Sequence, residues 1–160
     1  MTLKPTRPSF RTLSLAGVTL ALTLGWLSRE RAFATERAEA LKSGTVALEQ
    51  VKMADYSDRG KLVGKLGIYL SGDTEGSSKF VTGRLLLDAG QTPHLPHTHA
   101  EEEVMVIEQG TGEIDVDGKI TKVGPGSIMY TEPNVSHGIV NTGTTPIVFY
   151  FIKWAPRDAK

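Results

Sequence analysis

Cysteine is absent from this 160-residue chain. Its absence excludes disulfide bonds, thiolate nucleophiles, zinc sites built on cysteine and a lipid-modified N-terminal cysteine. An excess of charge of one sign is also lacking, because 18 Lys and Arg residues balance 18 Asp and Glu residues. Such a balanced chain does not point to nucleic acid as a partner. Any metal ion in this protein must therefore be held by nitrogen and oxygen atoms.

The N-terminal region has the pattern of a targeting segment. An apolar run at 13–27 follows three basic residues and precedes small residues at Ala32 and Ala34. This is the arrangement of a secretory signal with cleavage after Ala34, and the run is short for a membrane span, which needs roughly 20 residues. We therefore predict that residues 1–34 form a signal peptide and that the protein is periplasmic or extracellular. The charged residues 29–31 leave an alternative open, in which an uncleaved helix anchors an outward-facing protein to the membrane.

The rest of the chain has the pattern of short strands. Seventeen glycines and eight prolines imply many tight turns. After a polar linker at 35–59, apolar segments alternate with clusters of Gly, Asp, Asn and Pro, and the pair Asp117-Gly118 favours a two-residue hairpin turn. These segments predict strands at 62–70, 79–87, 103–108, 113–116, 119–123, 127–131, 137–140 and 147–152.

This spacing predicts an all-β, antiparallel fold at 60–154, followed by a tail at 155–160. Strand periodicity by itself does not choose between a sandwich and a jelly-roll barrel. If Glu103 points inward, alternation predicts that Met105 and Ile107 do so as well. By the same reasoning, Asn141 follows His137 inward.

Histidine is scarce, and its placement indicates a metal site. Three of the four histidines fall within six residues; the four are His94, His97, His99 and His137. Because alternate residues of an extended chain face the same side, His97 and His99 can converge on one ion. A bend could return the carboxylate of Glu103 to that ion, and His137 could approach it from the opposite wall. Three imidazoles and one carboxylate suit manganese, iron(II), zinc, nickel or cobalt, and leave two positions of an octahedral ion open.

The same residues lie in two segments that resemble the motifs of the cupin family. Residues 90–110 resemble the first motif, G-x5-H-x-H-x3,4-E-x6-G, with one extra residue before the first histidine. Residues 126–141 resemble the second, G-x5-P-x-G-x2-H-x3-N. This segment lacks the second glycine, has one residue added before the proline and has one lost before the histidine. The resemblance implies a small, single-domain cupin, a jelly-roll (double-stranded β-helix) barrel, with one divalent metal ion held by His97, His99, Glu103 and His137.

The resemblance implies several possible functions, because one fold hosts many reactions. The leading prediction is a metal-dependent enzyme of the dioxygenase type that acts on a small oxygen-rich molecule, with Glu103 tuning the ion and able to accept a proton. The first alternative is an isomerase or lyase acting on a small sugar-like or enolisable substrate. His94 is then the nearby candidate for proton transfer, unless it is a solvated loop residue. The second alternative is a non-catalytic module that binds a small ligand or a metal, so the sequence leaves open whether the protein is an enzyme.

Two subtypes are excluded by simple features of the chain. A thiol dioxygenase with a cysteine–tyrosine crosslink would need cysteine, and a two-domain oxalate decarboxylase would need a longer chain. The resemblance also implies that the protein is a homodimer. The other partner that it implies is a small-molecule ligand or substrate. Association with a membrane is expected only if the N-terminal segment is not cleaved.

Overall fold

The structure is a computed structural model that describes residues 40–157. The predicted signal or anchor helix at 1–34 and the end of the predicted tail lie outside the described residues. Within residues 40–157, no helix is long and apolar enough to cross a membrane.

The described residues form antiparallel strands with almost no helix, which confirms the all-β prediction. A single 3-10 turn at Leu48–Gln50 precedes the first strand. The strands are β1 (Ala54–Asp58), β2 (Lys61–Gly72), β3 (Ser77–Leu87), β4 (Glu102–Gln109), β5 (Gly112–Val116), β6 (Lys119–Val123), β7 (Ile128–Thr131), β8 (His137–Val140) and β9 (Ile147–Pro156).

The strands make two sheets that share one core. The larger sheet has the order β1-β2-β3-β9-β4-β7, and the smaller has the order β6-β5-β8. Buried residues from both sheets belong to one hydrophobic cluster, which includes Ile107 and Phe149 from the larger sheet and Ile114 and Ile139 from the smaller. Stacking two antiparallel sheets on one apolar core is the architecture of a jelly roll.

The core changes from apolar to polar along β4, and this change positions the site. Side chains of Glu103, Met105 and Ile107 all point inward and are buried, as the alternation predicts. Directly opposite them on β9 lie Lys153, Phe151 and Phe149, respectively. Opposite residues of an antiparallel pair share a face of the sheet. The Met105–Phe151 and Ile107–Phe149 pairs are therefore apolar, whereas the pair at the start of β4, Glu103–Lys153, sets a carboxylate beside an amine.

The hairpin between β5 and β6 has the predicted turn. Asp117 and Gly118 have φ angles of 52° and 79°, and Val116 pairs with Lys119 across them. Two successive positive φ values characterise the type I′ turn, for which Asp-Gly is a favoured pair.

The structure differs from the strand prediction at the start of the barrel. Strand β1, Ala54–Asp58, lies inside the segment that we predicted to be a linker. Its sequence, ADYSD, contains a single large side chain, that of Tyr56, which packs against the core cluster. So short a strand at a sheet edge carries no alternating apolar signal. Strands β2, β3 and β9 are also longer than predicted, and β9 continues to Pro156.

Candidate metal centre and its cavity

Backbone hydrogen bonds bring the two histidine segments together. His97 lies in the loop between β3 and β4, while His137 is the first residue of β8. Each donates its backbone N–H to the carbonyl oxygen of the other, at 3.0 Å in both directions. The backbone N–H of Asn134 also donates to the carbonyl of His99 at 2.7 Å. The loop before β4 is thereby held against the loop before β8.

The structure places the four predicted ligands in one cluster. One ring nitrogen from each of His97, His99 and His137 lies within 4.8 Å of the others, so the three could hold one metal ion. Glu103 joins them through Oε2, which lies 2.8 Å from Nε2 of His99 and 3.1 Å from Nε2 of His137. Glu103 is 4% exposed and His137 is 1% exposed.

Backbone carbonyls orient two of the imidazole rings. Nδ1 of His99 lies 2.9 Å from the carbonyl oxygen of Glu101, and Nδ1 of His137 lies 2.9 Å from that of Val135. Because a carbonyl oxygen only accepts, Nδ1 donates in both rings, and a neutral ring then presents the lone pair of Nε2. Both Nε2 atoms thus face the same oxygen of Glu103, an arrangement that is repulsive unless a proton or a cation lies between them.

The pKa values of the histidines and of Glu103 depend on one another, because these groups lie in contact in a largely buried cluster. Burial, followed by the neighbouring imidazoles, lowers the pKa of His97 to about 4, so this ring is neutral at pH 7. Burial acts to raise the pKa of Glu103, but hydrogen bonds from His137 and His99 outweigh burial and hold that pKa below its usual value. The hydrogen bond to Glu103 raises the pKa of His137 in turn. Glu103 and His137 therefore stabilise each other's charged forms across this contact.

These residues fit a divalent metal ion. Neutral imidazoles and a carboxylate are nitrogen and oxygen donors of the type that manganese, iron(II), zinc, nickel and cobalt accept. The buried Nδ1 of His97 has no hydrogen-bond partner among the described residues. A buried polar atom of this kind needs an explanation, and a ligand not supplied by the protein chain is one.

A cavity of about 170 Å³ opens beside the cluster. Its polar lining consists of Tyr56, His94, His97, Glu103 and Lys153, and its apolar lining of Leu66, Leu85, Pro93, Met105, Phe149 and Phe151. Two of the metal-binding candidates thus face a space that can hold a small molecule.

His94 lies at this cavity rather than wholly in solvent. Its ring centroid is 4.1 Å from that of His97, and its Nδ1 lies 3.1 Å from the carbonyl oxygen of Leu95. The structure therefore brings the second catalytic candidate beside the ligand cluster.

Sequence reasoning missed two polar residues of the cavity. Lys153 reaches it because β9 pairs with β4 in the register that sets Lys153 opposite Glu103. Tyr56 reaches it from β1, the strand that the sequence did not indicate. Tyr130 on β7 does not line this cavity: it is 51% exposed and donates its hydroxyl to Glu102.

Comparison with known proteins identifies the fold. Residues 83–153 match the family model of the cupin domain, and this region includes both histidine segments. The chain is similar to a predicted oxalate decarboxylase from Thermotoga maritima, with 26% identity and a TM-score of 0.61, over 70% of this chain and 99% of that one.

Two further solved structures share the fold at lower identity. An RmlC-like cupin from Shewanella frigidimarina is 20% identical with a TM-score of 0.56, over 73% of this chain and 95% of that one. KdgF from Halomonas sp. is 18% identical with a TM-score of 0.57, over 73% and 97%. Residues 83–153, with both histidine segments and most of the two-sheet barrel around them, therefore form a cupin domain.

Proposed function

We propose that this protein is an exported, metal-dependent enzyme of the dioxygenase type that acts on a small oxygen-rich molecule. The observation that carries the proposal is the convergence of three imidazoles and one buried carboxylate at the wall of a cavity. Four protein ligands leave two positions of an octahedral ion open, which suits two neighbouring oxygens of a diol, enol or hydroxy acid.

Each part of the site has a definite task in this proposal. His97, His99, His137 and Glu103 would hold the ion. When bound, the ion supplies Lewis acidity or, if it is iron or manganese, the means of activating dioxygen. Phe149 and Phe151 form an aromatic part of the cavity wall, and low polarity there would strengthen charge interactions.

A second candidate reaction is isomerisation or elimination on an enolisable substrate. The observation in its favour is the position of His94, which lines the cavity next to His97 and can move a proton. A binding module without catalysis is the remaining alternative, and it predicts ligand binding without product. Cupin membership also supports a homodimer, which light scattering of the purified protein would test.

The first experiment is elemental analysis of the mature protein, purified without chelators from the compartment to which it is exported. We expect close to one metal ion per chain and an N-terminus at Thr35. Iron or manganese would lead to oxygen-uptake assays with diols and enols, whereas zinc or nickel would favour the isomerase or lyase. A folded protein that takes up none of the five candidate ions on reconstitution would refute the site.

His99→Ala is the matched variant for this experiment. We expect it to lose most of the metal while its circular dichroism spectrum stays that of the folded barrel, because His99 is not part of the apolar core. If the variant unfolds, the ion is structural and the catalytic proposals weaken.

A further inference from the structure

We propose that Lys153 binds a carboxylate group of the substrate. The substrate is then a small organic anion that has a carboxylate in addition to the oxygens facing the metal ligands. This inference rests on the proposed function and narrows its substrate class.

The position of Lys153 is set by the strand register. It lies opposite Glu103 on the neighbouring strand, so the two side chains emerge on the same face of the sheet with their Cβ atoms about 5 Å apart. Lys153 also lines the cavity, and the next two inward residues of its strand are Phe151 and Phe149. The lysine side chain thus lines the polar end of an otherwise largely apolar space, together with Glu103 and His97.

The carboxylates around Lys153 are occupied by other cations. Lys79 lies 3.1 Å from Glu101, and Arg157 lies 3.2 Å from Asp73. Oε2 of Glu103 lies 2.8 Å from Nε2 of His99 and 3.1 Å from Nε2 of His137. Among residues 40–157, no carboxylate oxygen lies within 4.0 Å of the Lys153 amine, although Lys153 is only partly exposed. Lys153 therefore forms no ion pair among these residues, although its charge acts on Glu103 across the sheet and lowers the pKa of that carboxyl.

With a divalent ion bound, the site would carry excess positive charge, which an anionic substrate would compensate. A divalent ion with a single carboxylate ligand keeps an excess positive charge, and Lys153 adds another beside it. A neutral diol would leave both uncompensated in a partly desolvated space, where unpaired charge is costly. A substrate carboxylate compensates the charge and forms a charge-assisted hydrogen bond with the amine.

The size of the cavity limits the anion. A volume of about 170 Å³ lies below the roughly 300–1,000 Å³ of drug-sized ligand pockets, so the anion is a small one. Lys153 also lines an adjoining surface hollow with Asp73, Lys79 and Glu101, so its amine can be reached from solvent. The competing explanation is that the amine simply extends into water through this hollow.

The test is calorimetric titration of the metal-reconstituted mature protein with malate and with its distal monoamide. Malate has a hydroxyl and a carboxylate that can face the ion together with a second carboxylate, which the monoamide replaces by a neutral group of the same shape. Lys153→Met removes the charge with little change in volume, and Lys153→Arg keeps it. Lys122→Met is the matched control, because Lys122 is exposed on β6 and lines none of this cavity.

We expect wild type and Lys122→Met to bind malate at least tenfold more tightly than the monoamide. Lys153→Met should abolish this preference without changing metal content or monoamide affinity, and Lys153→Arg should retain most of it. Equal binding of malate to wild type and Lys153→Met, or no preference for malate in wild type, would overturn the inference while leaving the metal site intact. Loss of metal from Lys153→Met alone would also overturn it. Wild type without metal would instead refute the proposed function.

Discussion

Replacing Asn141 by alanine tests how the second histidine segment is held in the barrel. Asn141 is 0% exposed, and its side-chain Nδ2 donates to the carbonyl oxygens of Leu87 and Thr145, both at 2.9 Å. Its Oδ1 accepts the backbone N–H of Gly143 at 2.9 Å. One side chain therefore connects the end of β3 to the loop between β8 and β9.

The expected loss of stability follows from the surroundings of these three partners. Leu87 is 0% exposed, so water cannot replace the hydrogen bond to its carbonyl, and the loss costs about 1–3 kcal/mol. Thr145 is exposed, so water can replace its hydrogen bond, and the net loss there is about 0.5–1 kcal/mol. Gly143 is intermediate in exposure. We therefore expect Asn141→Ala to lower the free energy of unfolding by about 3 kcal/mol, which corresponds to a fall in Tm of roughly 10 °C in a domain of this size.

Urea and thermal unfolding of the metal-free protein measure this change directly. Thr142→Ala is the control, because Thr142 is the next residue and is exposed; its effect should stay within about 0.5 kcal/mol. Metal content at low temperature should be unchanged in Asn141→Ala, since Asn141 touches none of the four ligands in its hydrogen bonds. An unchanged Tm would refute the hydrogen-bond account, and a normal Tm with lost metal would place Asn141 in the site.

Two pH effects follow from the electrostatics of the cluster. Metal affinity should increase as the pH rises through the raised pKa of His137, because a metal ion needs this ring without its second proton. Chelator competition at several pH values would measure the affinity, and an affinity that does not change with pH would contradict the prediction. The metal-free protein should lose stability as the pH falls from about 6.5 to about 4, because His97 takes up a proton in the unfolded chain before it does so in the folded one. In that window the raised pKa of His137 contributes its full stabilisation throughout, so it does not cancel the loss, and a constant Tm would show that His97 is not held neutral.

Local patterns predicted the strands that carry strong alternation and sharp turns. Strand β4 has inward Glu103, Met105 and Ile107 separated by outward residues, and the Asp117-Gly118 turn has the chemistry that its backbone needs. Strand β1 has neither signal, because ADYSD is mostly polar and exposed and is held by pairing with β2. Its existence depends on a neighbouring strand rather than on its own sequence, so periodicity could not reveal it.

The same distinction applies to the site. His97, His99 and Glu103 lie within seven residues, so spacing alone suggested that they act together. His137 was a candidate as the one histidine outside that stretch, and the family resemblance implied it as the fourth ligand. Lys153 lies fifty residues from Glu103 and faces it only through the β4–β9 register, which includes an irregularity between Ile107 and Gln109. A one-residue slip would send Lys153 to the outer face. The place of Lys153 in the cavity thus depends on how two distant strands pair, whereas the metal-ligand candidates lie in short segments that can be recognised in the sequence.

The separation of core and ligands also bears on what the metal does. The fully buried apolar side chains, which include Leu87, Ile107, Ile139 and Phe149, contact one another across the two sheets and contain none of the metal-binding atoms. In small domains where a metal is structural, the ion replaces such a core, and folding fails without it. Here the ion would add stability only through its binding free energy, about 4 kcal/mol at a thousandfold excess over Kd. A cooperative unfolding transition in the metal-free protein is therefore the expected behaviour, and it would show that folding does not depend on the four ligands.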